Sequence, residues 1–270
     1  MRRRDLLLSA SGLLVGALAL PVFAQAPSDA LLAAVADPAR SPQNRARDRY
    51  RHPAATLAFW GVTPNMTVVE VEPSGGYWTE ILAPYLKKGG GRYIAAVGGD
   101  PAKFTARFAD AALWGDITVT KLFAGPIAPT GSADLVITAR NIHDWLSPPG
   151  RLETALDEFN AALRPGGLLG VEEHRADPRA MLPGASDGYV ATRWLVDAVD
   201  KAGFALAARS EINANPKDTK TYPFGVWTLP PTLRSHAKGE PVPADYDAAK
   251  YVAIGESDRM TLRFRKVRQA

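Results

Sequence analysis

A short β-branched run that turns through glycines into a helix constrains this 270-residue chain more than any other stretch. Val68-Val69-Glu70-Val71 reads as a buried strand, because apolar β-branched residues in succession suit a strand covered on both faces. Glu72-Pro73-Ser74-Gly75-Gly76 reads as a turn. Trp78, Ile81, Leu82, Tyr85 and Leu86 then fall on one face of a helix. Strand, glycine turn and helix start together present backbone N–H groups to a ligand at the carboxyl edge of a parallel sheet.

The rest of the chain repeats the alternation. Strand patterns recur at residues 92–97, 117–122, 133–138, 168–172, 205–212 and 260–266, with helical patterns at 102–113, 152–163 and 189–202 between them. Such alternation predicts an α/β fold, one doubly wound domain over 27–270. Short helices expected at 28–36, 45–50 and 54–59 make an N-terminal helical cap over 27–62. A polar, proline-rich excursion from Asn213 to about Gly255 precedes the closing strand. No internal repeat is visible.

The first 26 residues are of other material. Arg2, Arg3 and Arg4 precede an apolar run from Leu6 to Leu20, and Val22-Phe23-Ala24 or Ala24-Gln25-Ala26 fits a small-residue cleavage site. This pattern predicts a signal peptide and a periplasmic address. Arg3-Arg4 also resembles a twin-arginine signal, with Arg2 where Ser or Thr is usual. The run is short for a span of about 20 residues, so no stable membrane insertion is expected once it is removed. The remaining chain carries 29 Lys and Arg against 27 Asp and Glu, and no basic run interleaved with aromatics, so nucleic acid is not an expected partner. With no cysteine, disulfides, thiol chemistry and thiolate metal sites are excluded.

The glycine turn after strand one, Leu163-Arg164-Pro165-Gly166-Gly167 before strand five, and two closing strands after the last helix resemble class I S-adenosylmethionine-dependent methyltransferases. The runs 48–53, 67–82 and 140–145, His174-Arg175, Asn215-Pro216-Lys217-Asp218 and Ser257-Asp258-Arg259 further resemble a bacterial family of exported predicted methyltransferases. The resemblance implies a seven-stranded, mostly parallel, Rossmann-like sheet with an antiparallel last strand. It also implies S-adenosylmethionine across the carboxyl ends of strands one, two and four, and a small-molecule acceptor. Carried over, Glu70 is the acid near the methionyl end, Glu72, Ser74, Gly75 and Gly76 form the turn beneath the cofactor, and Asn141 stands beside the methyl group. The chain departs from the pattern at three places. Glycines are usual where Glu72 and Ser74 stand. Gly98 occupies the end of strand two, where an acid normally grips the ribose hydroxyls, leaving Asp100 as a substitute. No acid follows strand three to meet the adenine.

His143, at the end of strand four, is placed for a general base, with an unperturbed pKa of about 6.5. The alternative is a histidine that holds its loop through Asp144 or a backbone carbonyl. Asp144 and His174 border the same face and complete the catalytic candidates. Arg175 either holds an anionic substrate or pairs with Glu172 or Glu173. The two histidines lack a paired ligand spacing, so no metal is expected. Lys217 and Asp218 form either a turn over the pocket or an exposed loop. Gly184-Ala185-Ser186-Asp187-Gly188 matches a nucleophile elbow in letters, but no strand feeds it. Two functions stay open: methyl transfer, or an exported binding or accessory protein that kept the fold and lost the cofactor. Glu70, Gly75, Gly76 and the polar end of strand four favour the first. The missing ribose acid and the exported address favour the second.

Overall fold

The computed structural model describes residues 26–268, so the expected leader lies outside the described residues save for Ala26. Seven strands are present: β1 (Thr67–Val71), β2 (Arg92–Val97), β3 (Thr118–Lys121), β4 (Ala133–Ala139), β5 (Leu163–His174), β6 (Phe204–Ser210) and β7 (Arg259–Lys266). They form one sheet in the order β3-β2-β1-β4-β5-β7-β6. Strands β1 to β5 pair in parallel, and β7 runs antiparallel to both β5 and β6. The chain winds outward from β1 to β3 and then returns to β4 on the other side of β1. The crevice beyond the carboxyl ends of β1 and β4 is therefore the switch point where such sheets bind ligands.

The helices are α1 (Asp29–Val35), α2 (Pro42–Arg45), α3 (Asp48–Arg51), α4 (Pro53–Trp60), α5 (Thr79–Gly89), α6 (Ala102–Arg107), α7 (Ala111–Trp114), α8 (Arg151–Ala162), α9 (Thr192–Lys201) and α10 (Ala248–Ile254). Alternation along β1 divides the core. Val69 and Val71 join the side covered by α8 and α9, whereas Val68 joins the α5 side with Trp78, Ile81, Leu82, Tyr85 and Leu86. Glu70 shares the parity of Val68 and so is driven into the packing beneath α5.

Helices α1 to α4 form the N-terminal cap. Trp60 closes α4 and donates its indole N–H to the Leu262 carbonyl at 3.1 Å. A Cβ at Gly170 would stand 2.7 Å from the Trp60 ring, so glycine there lets the indole lie against β5.

Four boundaries differ from the sequence expectation, each for a local reason. The helix expected at 102–113 is two, because the Asp110 carboxylate accepts from the N–H groups of Ala112 and Leu113 and starts α7 afresh. The helix expected at 45–50 is likewise divided between α2 and α3, with Ser41 capping α2. β5 begins at Leu163 rather than 168: Ala133 pairs with Leu163 and Leu135 with Leu168, so the Pro-Gly-Gly turn survives as a bulge in the strand. The helix expected from 189 begins at Thr192, because the Val190 N–H is taken by the His174 carbonyl. Among the described residues no helix is long and apolar enough to cross a membrane.

Candidate active site

A cavity of about 280 Å³ opens at the switch point. It runs from Ser74 and Gly75 in the turn after β1, past Arg140 and Asn141 at the end of β4, to His143 and His174. Arg47 and Arg51 of the cap line one part of it, and Trp227, Pro230 and Pro231 of the excursion between β6 and β7 line another. Larger hollows of about 490 and 580 Å³ lie against α8 and α9 and beside β2 and β3, but neither gathers a comparable set of chemical groups. Backbone is strained at the turn and the β4 end, where Glu72 (φ 50°), Ser74 (φ 49°) and Arg140 (φ 63°) are left-handed without being glycine. Each such residue costs about 1–3 kcal/mol and persists only where the surroundings over-determine it.

The excursion is held down by buried acids. Asp218 accepts from the Tyr189 hydroxyl at 2.9 and 3.0 Å and from the Asp258 N–H at 2.7 Å. Asp218 is therefore a latch behind the cavity, while Lys217 beside it is exposed. Arg175 pairs with Asp258 at 2.8 Å and Glu211 at 2.7 Å. It meets neither Glu172 nor Glu173 and does not line the cavity, so its expected partners are corrected.

His143 owes its orientation to Glu173, which the sequence reading did not single out for this role. Its Nδ1 lies 3.0 Å from Glu173 Oε1. An ionised carboxylate only accepts, so the ring nitrogen facing it carries the proton, and Nε2 is left with a lone pair. Burial works against a charged ring here. The attraction and hydrogen bond of Glu173 outweigh it, and the pKa of His143 is raised. Asp144 Oδ1 stands 3.6 Å from Nε2 at the cavity rim. His174 lies beside His143, ring centroids 5.1 Å apart, with its Nδ1 against the Ser257 hydroxyl. Burial, together with His143, Arg140 and Arg259, holds its pKa well below the usual histidine value, so it is neutral.

His143, Glu173 and His174 offer ligand atoms that all lie within 4.8 Å of one another. Glu173 is already saturated, however. Its Oε2 accepts from the N–H of Ile142 at 2.7 Å, and its Oε1 accepts from the N–H of His174 at 2.8 Å as well as from the His143 ring. These bonds occupy both Glu173 oxygens and hold His143 in a hydrogen-bonded dyad.

The cofactor candidates fall into two groups. Ser74, Gly75 and Asn141 line the cavity. Asn141 donates its amide to the Val71 carbonyl at 3.0 Å, bracing the β4 end against the turn. Nothing lies within 4 Å of where a Cβ on Gly75 would stand, so the space above the turn is open. Glu70, Glu72, Gly76 and Asp100 do not line the cavity. Glu70 accepts from Thr79 at 3.0 Å and from the Tyr93 hydroxyl, and burial pushes its pKa up to about 7 against those two bonds. Gly76 (φ 74°) packs on α6, where a Cβ would meet Phe108 at 2.3 Å. Asp100 accepts from the Ala102 N–H at 3.0 Å, starting α6.

Glu72 resolves one departure from the expected pattern. A Cβ built on Gly98 would lie 1.8 Å from Glu72 Oε1. The Glu72 carboxylate thus crosses from the turn after β1 and fills the place a side chain at the end of β2 would take. Burial raises its pKa, offset in part by a hydrogen bond from the Gly98 backbone. The sequence signal was the pairing itself: an acid where glycine is usual, and glycine where an acid is usual.

No family profile and no curated protein matches the chain. Solved structures do. A SAM-dependent methyltransferase from Aquifex aeolicus aligns with a TM-score of 0.52 at 18% identity, over 64% of this chain and 88% of that one. The [4+2]-cyclase SpnF aligns at 0.55 and 15%, over 87% and 91%. The trans-methyltransferase CalH in complex with SAH aligns at 0.50 and 14%, over 83% and 59%. The chain has the class I SAM-dependent methyltransferase fold. The cyclase among its neighbours shows why the chemistry has to be argued from the site.

Proposed function

We propose that this chain is an S-adenosylmethionine-dependent methyltransferase acting on a small-molecule acceptor, with Glu72 taking the role of the ribose acid and His143 that of general base. One observation carries the reading: a single cavity joins the open glycine turn to an imidazole whose Nδ1–H is committed to Glu173. The residues fit the cofactor. The turn leaves open space above Gly75, and the carboxylate required at the end of β2 arrives from Glu72.

When bound, S-adenosylmethionine supplies an electrophilic methyl group on a sulfonium. The chain then has to orient the acceptor and manage one proton. His143 Nε2 takes the proton from the attacking hydroxyl or amine, and Glu173 stabilises the imidazolium and fixes the ring. Asn141 braces the strand end at which the reacting groups meet. Trp227 sits 5.8 Å from the His143 ring and helps exclude water. Asp144 at the rim and neutral His174 are further candidates for contact with the acceptor. The reading includes a single domain over 27–270 and export to the periplasm through residues 1–26. It is supported by the basic start, apolar run and small-residue cleavage site, and is tested by N-terminal sequencing of the periplasmic protein.

The second reading, a binding or accessory protein without cofactor, is favoured by one feature. The cavity lining includes no residue of β2 or β3, where the adenosine would lie. Calorimetric titration of S-adenosylmethionine and S-adenosylhomocysteine into refolded protein separates the two. Micromolar binding supports the transferase. Folded protein that binds neither at millimolar concentration leaves the second reading.

A further inference from the structure

The cavity floor carries more positive than negative charge. Arg47, Arg51 and Arg259 surround the buried Glu256 carboxylate, with contacts of 2.8, 2.9 and 2.7 Å. Arg259 and Arg140 share Glu172, each at 3.0 Å. Four guanidinium groups therefore meet two carboxylates. The nearest third carboxylate, Glu173, is committed to His143, and Asp144 at the rim is 67% exposed and screened by water. Glu70 beneath, its pKa pushed up by burial to about 7, is only partly ionised near neutral pH. Unbalanced buried charge is costly, and the cost falls when an anion enters.

These guanidinium groups also have unused donors. Arg47 and Arg51 both reach Glu256 through Nε, so their terminal nitrogens have no partner among the described residues, yet they are not sealed from solvent. Arg51 is fixed in place: its side chain is 2% exposed and its guanidinium lies 4.6 Å from the centre of the Tyr77 ring. Arg140 donates one terminal nitrogen to Glu172 and keeps its other donors open. All three line the same cavity as His143. Planar forks of this kind match the paired oxygens of a carboxylate or phosphate.

We infer that the acceptor is an anionic small molecule whose carboxylate or phosphate group is anchored by Arg47, Arg51 and Arg140, with its nucleophile toward His143 Nε2. Trp227, Pro230 and Pro231 supply an apolar wall, which suits an acid with an aromatic or otherwise apolar body. The acceptor role rests on the methyltransferase reading; the anion site itself does not. The methyl donor also carries a carboxylate, so the test must separate the two sources.

Inorganic phosphate and benzoate are titrated calorimetrically into the full chain, alone and with saturating S-adenosylhomocysteine, for wild type, Arg47→Gln and Arg47→Lys. The expected result is anion binding that persists beside S-adenosylhomocysteine, weakens about tenfold or more in Arg47→Gln and is partly kept in Arg47→Lys. Circular dichroism confirms that each variant is folded, and Arg47→Lys keeps the test valid if the glutamine variant is not. Failure of the wild type to bind either anion, or an unchanged affinity in Arg47→Gln, overturns the site. Mutual exclusion of the anions and S-adenosylhomocysteine assigns the anchor to the donor's own carboxylate and overturns the acceptor assignment. Arginine-dependent anion binding in a protein that does not bind S-adenosylhomocysteine keeps the site and refutes only the transferase reading beneath it.

Discussion

Replacing Glu72 by glycine should make the protein more stable and a poorer binder of cofactor at once. Glu72 stands at φ 50°, where a side chain costs roughly 1–2 kcal/mol relative to glycine. Its carboxylate is also partly desolvated, which raises its pKa. Glu72→Gly relieves both, and about 1 kcal/mol corresponds to a rise in Tm of roughly 2–4 °C for a domain of this size. Binding moves the other way. Charge-assisted hydrogen bonds are worth about 1.5–3 kcal/mol each, so losing two ribose contacts should weaken S-adenosylhomocysteine by about 100-fold or more. Gly98→Asp alone should displace the flexible end of Glu72, whose Oε1 would stand 1.8 Å from the new Cβ, and set two carboxylates against each other. In the Glu72→Gly background that space is free, and Gly98→Asp should restore most of the affinity. Thermal melts and calorimetry on the four proteins read both quantities. Wild-type affinity in Glu72→Gly, or no recovery in the double variant, would refute the exchange of roles between the two positions.

Other perturbations probe the dyad, the buried acid and the cap. Glu173→Gln removes the charge that holds the His143 pKa up, so the ring's pKa should fall in an NMR titration; an unchanged value would sink the dyad. Because the folded pKa is raised, the charged ring stabilises the fold below about 6.5, and that contribution disappears as pH rises through the folded value. Glu70 behaves alike in sign. Its pKa rises from 4.5 to about 7, so protonation favours folding, by about 3 kcal/mol at low pH, and this is lost between those values as pH rises. Urea unfolding at pH 5 and pH 8 should show a wild-type loss that Glu70→Gln lacks. Gly170→Ala drives a methyl group toward the Trp60 indole and should cost about 1–3 kcal/mol in the same assay, with no cost expected if the cap does not dock on β5.

Much of the frame could be read from periodicity. The strand run before the glycine turn, the apolar face of α5 and the amphipathic pattern of α8 depend on neighbours a few residues apart, and those are what a sequence displays. Boundaries drifted where a backbone group found another partner, as at α7, whose first N–H groups the Asp110 carboxylate takes, and at the β5 bulge, where Leu163 pairs with Ala133. The candidate site was legible in part: Ser74, Gly75, Asn141, His143, Asp144 and His174 line one cavity. Glu70, Gly76 and Asp100 were placed beside it by motif position, but alternation along β1, packing on Phe108 and the start of α6 turned them elsewhere. The role of Glu173 was not legible because its partner His143 lies thirty residues away in the chain, on a neighbouring strand end.

The alternation of strands and helices, the position of the glycine turn and the polar character of the β4 end are written in the chain. These follow from local pattern, which acts along the chain. Folding alone brings Glu72 to the place of a side chain at Gly98, Glu173 to the His143 ring, and the arginines of the cap to those of β4 and β7 around Glu172 and Glu256. Each of these joins groups far apart in the chain. Their energies arise from burial and charge at short range, and such terms exist only once the sheet has brought the strand ends together.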